Sequence, residues 1–319
     1  MGEFELIRRY FAAASCAQPD EAVALGIGDD CALLALAPGA QVAISTDTLV
    51  AGGHFPIDAD PLLLGHRALA VAASDLAAMG ADPLGFTLAL TLPAVDADWL
   101  KGFAEGLNLM AEQCGLRLIG GDTTRGPLSL TLTVLGSVPA GQALTRSGAR
   151  PGDLLCVGGQ LGQAAGALPL VLKQRQAEEA ISGPLLAHYW SPTPQFALGL
   201  CLRGCATAAL DISDGLLADC GHIAQASAVC LVVEQSRLPL SVELVAFLGL
   251  EAARHAALSG GDDYVLAFTL PPDHLPALLD LGIHVIGRVT EGSGVMLLDA
   301  QGHDITPATC GYQHFRETP

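Results

Sequence analysis

Aspartates in short glycine-rich motifs recur along the 319-residue chain. Asp29 and Asp30 stand side by side in "GIGDDCALL", and a second pair follows "SGG" in "SGGDDY". Other motifs hold the rest: Asp47 in "STDTL", Asp75 in "ASDLAAMGA", Asp122 in "GGDTTRG", and Asp211 and Asp214 in "DISDG". Neighbouring carboxylates repel each other unless a cation compensates them. The set therefore favours binding of a hard cation such as Mg²⁺, which takes carboxylate, water and phosphate oxygens as ligands.

Each aspartate taken alone has a simpler explanation, because Asp beside Gly or before a helix is commonly a turn or N-cap residue. Asp214, followed by "GLLADCGHI", could simply cap its helix. Asp75 fits this explanation poorly, since it falls inside a helical stretch among small residues. Arg125, Arg146 and His54 lie in Gly-rich loops, where phosphate contacts are common, although surface solvation would explain them too.

Composition excludes several other classes of function. The formal net charge is −18, with 33 acidic and 15 basic residues, and no Lys/Arg cluster marks a nucleic-acid or anionic-membrane surface. The chain lacks the P-loop and the kinase HRD pattern, and "LLCVGGQLGQAAG" has Val157 where a dinucleotide fingerprint needs its first glycine. Nine cysteines without a CxxC pair indicate reduced thiols. Charges near the N-terminus and the lack of a long apolar run predict a cytoplasmic protein.

The elements that position these motifs follow from hydrophobic periodicity. In the first half, strands are predicted at 41–46, 84–92 and 128–138, with helices near 61–79 and 98–114. "TRSGARPGD" predicts a domain boundary near residue 148, and the strand "LLCVGG" follows it. The second half again alternates: helices near 160–175, 214–226 and 273–281, and strands at 207–212, 229–234 and 264–270. The prediction is an α/β (α+β) protein with domains 1–148 and 149–319.

Taken together, "GIGDDCA", "STDTLV", "SDLAAMGADP", "LIGGDTTRGPL", "DISDGL" and "SGG-acid-DY" resemble the thiamine-monophosphate kinase family, in the superfamily of aminoimidazole-ribonucleotide synthetase. The match runs in order from about residue 3 to "GYQHF" at 311–315. The resemblance implies a PurM-like two-domain fold, whose N-terminal sheet domain pairs with a second copy into a barrel and precedes a larger C-terminal α/β domain. A homodimer is therefore expected.

The resemblance also implies an activity: ATP-dependent phosphorylation of thiamine monophosphate to thiamine diphosphate, assisted by several Mg²⁺ ions and without a general base. By motif position, the residues implied to ligate or position Mg²⁺ are Asp30, Ser45, Thr46, Asp47, Asp75, Asp122, Asp211 and Asp214. Those implied to contact ATP are Gly121, Asp122, Arg146 and Ser213. Those implied to face the thiamine substrate are His54, Asp262 and Tyr312, and Asp29 is expected to support the metal site.

Two positions depart from the family pattern. Asp262 stands where the family usually has Glu, and "AASD" stands where the family commonly has "NLSD", which removes an Asn. Neither is an expected metal ligand, so they bear on substrate fit. Three alternatives remain open: a non-catalytic nucleotide or Mg²⁺-binding module, a hydrogenase-maturation relative, and a selenophosphate synthetase. The second would end in a reactive Cys, whereas Cys310 lies before the terminal Pro319, and the third would need a Cys in an N-terminal Gly-rich loop that is not found.

Overall fold

The computed structural model describes residues 2–307, without the side chains of Glu3 and Phe4. It divides into two compact units. Unit 1 comprises Met1–Leu76 and Ala81–Gln142, and unit 2 comprises Ala77–Gly80 and Ala143–Pro319. The domain boundary near residue 148 stays a prediction. Within the described residues, no helix has the length and apolar character needed to cross a membrane.

Unit 1 is built on a four-stranded sheet of order β3-β6-β4-β5. Its elements are α1 (Glu3–Leu6), a π-helical segment (Ile7–Phe11), a short 3₁₀ helix (Ser15–Ala17), β1 (Val23–Leu25), β2 (Leu33–Leu34), β3 (Ala40–Val50), α2 (Pro61–Ala78), β4 (Asp82–Leu92), α3 (Ala97–Cys114), β5 (Arg117–Arg125) and β6 (Ser129–Pro139). β3 pairs antiparallel with β6, and β4 pairs parallel with β5. β1 and β2 form a separate two-stranded sheet.

The two faces of the unit 1 sheet differ in character. Along β6, buried residues such as Leu130, Leu132 and Val134 alternate with partly exposed ones. On β3, by contrast, Ile44 is 63% exposed and Val42 is 41% exposed. Period-2 alternation places these two residues on one face of the sheet. One face therefore carries the core of unit 1, and the other presents apolar side chains to solvent.

Helices α2 and α3 cross with their backbones in contact. A Cβ added at Gly106 would lie 1.9 Å from the carbonyl oxygen of Leu62, and one added at Gly65 would lie 2.2 Å from that of Phe103. Only glycine permits such an approach. The crossing holds α2, and with it Asp75, at a fixed place in unit 1.

Unit 2 contains a six-stranded sheet of order β12-β9-β11-β7-β10-β8. Its elements are β7 (Leu154–Val157), α4 (Gln163–Val171), α5 (Glu179–Trp190), α6 (Phe196–Leu202), β8 (Ala208–Asp211), α7 (Leu216–Ser227), β9 (Cys230–Glu234), a 3₁₀ turn (Gln235–Arg237), α8 (Val242–Leu248), α9 (Leu250–Ser259), β10 (Leu266–Leu270), a 3₁₀ helix (Pro272–Leu281), β11 (His284–Thr290) and β12 (Gly294–Leu298). All ladders except β9–β12 are antiparallel.

Both faces of the unit 2 sheet are covered. Ala267 of β10 belongs to a core cluster that includes α7 and α9 residues, whereas Phe268 belongs to a second cluster that includes Leu198 and Leu202 of α6. Consecutive residues of a strand point to opposite faces, so the sheet lies between two apolar layers. This arrangement buries the end of β8, where "DISDG" begins, and the start of β10, which follows "SGGDDY".

We expect Gly106→Ala to destabilise the protein by about 3 kcal/mol or more, because the new methyl group must push α3 away from the Leu62 carbonyl. Urea unfolding followed by circular dichroism measures the change. Gly221→Ala in α7 is the matched control, since nothing lies within 4 Å of its added Cβ. The control should be neutral or stabilised by about 0.5–1 kcal/mol. Equal midpoints for Gly106→Ala and wild type would contradict the close helix crossing.

Candidate functional site

In unit 1, β3 and α2 bring two carboxylates and a hydroxyl together. Ser45 and Asp47 lie on the same face of β3, and the Ser45 hydroxyl donates a hydrogen bond to the Asp75 carboxylate on α2. Burial, reinforced by the negative charge of Asp75, raises the pKa of Asp47 to about 6. The oxygens of these three side chains are of the kind that a hard cation such as Mg²⁺ prefers. The donor set therefore fits the predicted metal, and a cation would relieve the repulsion.

Thr46 lies on the opposite face of β3. Its hydroxyl pairs with that of Thr133 at 2.9 Å, and the Thr48 hydroxyl pairs with that of Thr131 at 2.9 Å. These cross-strand pairs tie β3 to β6 on the open face of the sheet. The Thr46 side chain consequently points away from Asp47 and Ser45.

A second acidic group lines a cavity of about 700 Å³ beside β5. Asp29, Asp30 and Asp122 lie in its wall, together with Gly121. The Asp29 carboxylate accepts a hydrogen bond from the Asp30 backbone N–H at 2.8 Å, which shapes the loop. Apolar and basic residues complete the wall, among them Ile7, Arg8, Phe11, Ile27, Leu88 and Leu118. The cavity thus combines an apolar surface with carboxylates, as nucleotide sites that use a metal do.

Gly121 explains how β5 closes this cavity. Its φ is +151°, and a Cβ there would lie 2.0 Å from the Leu88 carbonyl oxygen of β4. Any other residue would push β5 off β4. The glycine leaves its backbone accessible on the cavity side, next to the exposed Asp122.

The two acidic groups of unit 1 lie on opposite edges of the sheet. Asp47 is on β3 and Asp122 on β5, with β6 and β4 between them. Three strand spacings separate these edges by about 14 Å. The registers also place Asp122 beside Ala89 and Thr131, on the face opposite to Asp47. Within the described residues, one copy brings no three His, Cys, Asp or Glu side chains into a metal-binding group.

His54 lies in the turn that follows β3. Its Nδ1 is 3.1 Å from the Val50 backbone nitrogen, whose N–H donates to it. The ring nitrogen that accepts this bond carries no proton, so the neutral imidazole holds its proton on Nε2. His54 is therefore oriented as an N–H donor, which suits binding of an anion.

In unit 2, the turn after β8 is held by a carboxylate from α7. Asp219 Oδ2 accepts hydrogen bonds from the backbone N–H groups of Ser213, Asp214 and Gly215, each at 3.0 Å. Burial raises the pKa of Asp219 to about 6 in spite of these bonds. Asp211 is buried at the end of β8, and Ser213 is exposed. The "DISDG" motif thus presents Ser213 on a turn of fixed shape.

The "SGGDDY" loop turns its two aspartates to different partners. Asp262 accepts a hydrogen bond from the Tyr264 hydroxyl at 2.8 Å. Asp263 is fully buried and accepts from the Gly162 N–H at 2.6 Å, while its other oxygen faces His188 Nε2 at 3.6 Å. Burial raises the pKa of Asp263. Asp263 therefore anchors the loop, and Asp262 is the member of the pair that remains partly exposed.

Arg146 lies on an exposed segment that Ser227 fastens. The Ser227 hydroxyl accepts from the N–H groups of Gly148 at 3.1 Å and Ala149 at 3.2 Å, and it donates to the Arg146 carbonyl at 3.1 Å. One side chain thereby fixes the backbone on both sides of residue 147. The Arg146 guanidinium extends from a fixed base.

Comparison with known proteins decides the family. Residues 28–138 match the model of the AIR synthase related protein, N-terminal domain. Curated thiamine-monophosphate kinases from Salmonella typhimurium and Escherichia coli K12 are 47% and 46% identical over 322 residues, covering 98% of this chain and 98% of each relative. This chain belongs to the thiamine-monophosphate kinase family.

Solved structures agree with this membership. The thiamine-monophosphate kinase of Stenotrophomonas maltophilia K279a superposes with a TM-score of 0.86 at 45% identity, covering 93% of this chain and 96% of that one. AaThiL complexed with AMPPCP and TMP superposes with a TM-score of 0.80 at 31% identity, covering 91% and 92%. Hydrogenase maturation protein HypE in complex with ATP, at 21% identity and a TM-score of 0.79, shares the fold alone. The mixed α/β, PurM-like fold predicted from the sequence is confirmed.

Most of the kinase-family residues expected from the motifs fall into four places, and His54 lies apart from them in the turn after β3. Ser45, Asp47 and Asp75 meet on β3 and α2, and Asp29, Asp30, Gly121 and Asp122 line the cavity. Asp211 ends β8, Ser213, Asp214 and Asp262 lie on adjoining loops of unit 2, and Arg146 lies on the segment fastened by Ser227. Thr46 points to the other face of the sheet. Tyr312 lies outside the described residues, and its assignment and the other residue roles stay predictions.

Three residues with clear structural roles at this site were missed by sequence reasoning: Asp219, Asp263 and Ser227. The sequence did contain a signal for Asp219: a charged residue lies one helical turn after Gly215 in an otherwise apolar stretch. Asp263 is visible in the sequence only as the second of the paired aspartates in "SGGDDY". Ser227 offered no local signal, because its partners lie 78 and more positions away in the chain.

We expect Asp47→Asn to stabilise the metal-free protein above pH 6. The pKa of Asp47 is raised above its usual 3.8 to about 6, so its favourable contribution is complete below pH 4 and is lost as the pH rises through 6. Removing the ionised carboxylate should then gain about 1–2 kcal/mol at pH 8, allowing for partial exposure, and nothing at pH 4.

Thermal unfolding in a chelating buffer between pH 4 and 8 measures this difference. Glu105→Gln, at an exposed position of α3, is the control and should follow the wild-type curve. An Asp47→Asn protein that is less stable than wild type at pH 8 would contradict the crowded carboxylate pair.

Proposed function

We propose that this protein transfers the γ-phosphoryl group of ATP to thiamine monophosphate and forms thiamine diphosphate. The observation that carries the proposal is the superposition, over 91% of the chain, on AaThiL complexed with AMPPCP and TMP. Membership in a kinase family at 47% identity supports it. The oxygen-rich groups around Asp47 and Asp122 support it as well, because phosphoryl transfer relies on positioning and charge compensation.

Mg²⁺ is the metal that we propose for these groups. Ser45, Asp47 and Asp75 offer one set of oxygens, Asp30 and Asp122 offer a second, and Asp211 and Asp214 offer a third in unit 2. When bound, Mg²⁺ would compensate the charges of the polyphosphate and of the acceptor phosphate. With a formal net charge of −18, the protein has few cationic side chains that could do this instead.

No side chain is needed as a general base in this reaction. A phosphate monoester has a second pKa near ~6, so the attacking oxygen is already largely ionised at neutral pH. His54 and Asp262 then have binding roles: the His54 Nε2–H donates to the substrate, and the Asp262 carboxylate faces the cationic or amino groups of thiamine. A cytoplasmic location, where ATP is available, is part of the same proposal.

In unit 1, the cavity beside β5 is proposed to take part in nucleotide binding. The cavity's volume of about 700 Å³ suits a ligand of nucleotide size. Gly121 lets phosphate oxygens approach its backbone, and Asp122 is available to a metal. Arg146 and Ser213 supply a guanidinium and a hydroxyl from exposed positions.

A non-catalytic nucleotide or Mg²⁺-binding module would keep these sites and lack turnover. Incubating the purified protein with ATP, Mg²⁺ and thiamine monophosphate, and separating products by chromatography, distinguishes the two. Formation of thiamine diphosphate together with equimolar ADP supports the kinase. Nucleotide binding without thiamine diphosphate would leave only the binding module.

We further propose that the protein works as a homodimer that joins the two edges of the unit 1 sheet. β3 is an edge strand of 11 residues with Ile44 63% exposed, an arrangement that natural sheets usually cover. A second copy that places its β5 edge beside β3 would bring its Asp122 towards Asp47. The two acidic groups of unit 1 would then lie on neighbouring strands of the two copies instead of three strands apart, with their side chains on opposite faces of the joined sheet.

Heterodimers test this arrangement. Asp47→Asn and Asp122→Asn should each lower turnover by about a hundredfold or more as homodimers, because each removes a metal-facing charge while keeping its shape. Heterodimers of the two variants, purified through different tags, should regain about half of wild-type activity, since one of their two sites then holds both native aspartates. Heterodimers as inactive as either homodimer would place Asp47 and Asp122 in the same copy's site.

Asp262→Asn should raise the KM for thiamine monophosphate about ten- to a hundredfold and leave the KM for ATP unchanged, because it removes a charged acceptor on the thiamine side. Steady-state kinetics with each substrate varied in turn measures both constants. Tyr264→Phe removes only the hydroxyl that donates a hydrogen bond to Asp262. It should raise the KM for thiamine monophosphate by less than Asp262→Asn does. Equal weakening of both substrates by Asp262→Asn, or of ATP alone, would remove Asp262 from the thiamine site.

A further inference from the structure

The turn at residues 213–215 owes its shape to one buried oxygen. Asp219 is 3% exposed, and its Oδ2 receives three successive backbone N–H groups at 3.0 Å each. Three donors that converge on one acceptor fix the orientation of three neighbouring peptide planes. Charge-assisted bonds of this kind are stronger than neutral ones. The carboxylate therefore acts on the backbone of the turn, and the side chains of Ser213 and Asp214 project from it.

The loop at residues 260–264 rests directly on this turn. The Asp262 N–H donates to the Ser213 carbonyl at 2.9 Å, and the Tyr264 N–H donates to the Ile212 carbonyl at 2.8 Å. Gly261 permits the contact, since a Cβ there would lie 2.3 Å from the Ser213 carbonyl oxygen. The turn and the loop consequently form one hydrogen-bonded block within unit 2.

This block carries residues proposed for both substrates. Ser213 is proposed to contact ATP, and Asp262 is proposed to contact thiamine monophosphate, and a single hydrogen bond joins their backbones. The Asp219 side chain is buried behind the turn and touches its backbone. Its effect on either substrate must therefore pass through the turn.

We propose that Asp219 is a positioning residue for both substrates. Its carboxylate sets the 213–215 turn, and the turn sets the backbone of Asp262 through the Ser213 carbonyl. This inference rests on the proposed function and goes beyond it, because it couples the two binding sites of unit 2 through one buried side chain. A residue with a purely structural role would lower stability without changing either Michaelis constant.

Kinetics of Asp219→Asn and Asp219→Ala test the coupling. Asn keeps an acceptor oxygen but loses the charge, so it should raise the KM for ATP and the KM for thiamine monophosphate together, each about threefold to tenfold. Ala removes the acceptor and should raise both further. Ser241→Ala is the matched control, because Ser241 is a buried cap of α8 in the same unit, bonded to the Leu244 N–H at 3.1 Å. The control should lose stability and keep both constants.

Amide hydrogen exchange of the substrate-free protein gives a readout that does not depend on the activity. In Asp219→Asn, the N–H groups of residues 213–215 and that of Asp262 should all exchange faster than in wild type. Faster exchange at 213–215 with unchanged exchange at Asp262 would overturn the coupling. A wild-type protein that forms no thiamine diphosphate would instead refute the proposed function, and the exchange result would still decide the coupling.

Gly261→Ala perturbs the contact between the 260–264 loop and the Ser213 carbonyl from the side of the loop. It is the variant to use if the Asp219 variants do not fold. Its methyl group must separate the loop from the Ser213 carbonyl while Asp219 stays in place. Both Michaelis constants should rise again. A rise confined to thiamine monophosphate, or unchanged constants in the Asp219 variants, would overturn the proposal.

Discussion

The repulsion between the carboxylates of Asp47 and Asp75 is the constraint on which the structure of unit 1 depends, because the elements that carry them must be held in place against it. Two partly buried like charges drive each other apart unless rigid elements hold them. Burial, with the charge of Asp75 as the second cause, raises the pKa of Asp47 to about 6. β3 is fixed by an unbroken register of 11 residue pairs with β6, and α2 is fixed by backbone contact with α3. In the proposed metal site, a bound divalent cation would remove this repulsion, so the stability lost at the pair would favour binding of the cation.

In each of the two glycine motifs with paired aspartates, one carboxylate accepts a hydrogen bond from a backbone N–H. In the first pair, Asp29 accepts the N–H of Asp30 and shapes the loop, and both side chains line the cavity. In the second, Asp263 is buried against the Gly162 N–H, and Asp262 stays partly exposed. A carboxylate bonded to backbone N–H groups has its charge partly compensated. In each pair one carboxylate thus accepts a backbone N–H and fixes the local course of the chain.

Sequence periodicity predicted the helices and strands that have one buried and one exposed face. It failed where contacts between distant residues determine the local structure. The strand predicted at 128–138 is Ser129–Pro139, and the helices predicted at 61–79 and 98–114 are Pro61–Ala78 and Ala97–Cys114. Strand β5 was missed because Gly120 and Gly121 read as a turn, yet Gly121 is required by its contact with Leu88. The motifs located the acidic residues, but the separation of Asp47 and Asp122 follows from strand order, which no local pattern contains.

The backbone at position 262 suits an Asp better than the Glu that the sequence resemblance leads one to expect. Asp262 adopts a φ of +69°, in the left-handed region that short polar side chains tolerate better than longer ones. The Tyr264 hydroxyl reaches the Asp262 carboxylate at 2.8 Å and fixes its direction. A Glu would extend one methylene further towards a ligand but would fit the backbone less well and would have more rotamers to lose. The carboxylate at position 262 is therefore held in one direction by its own backbone conformation and by the Tyr264 hydroxyl.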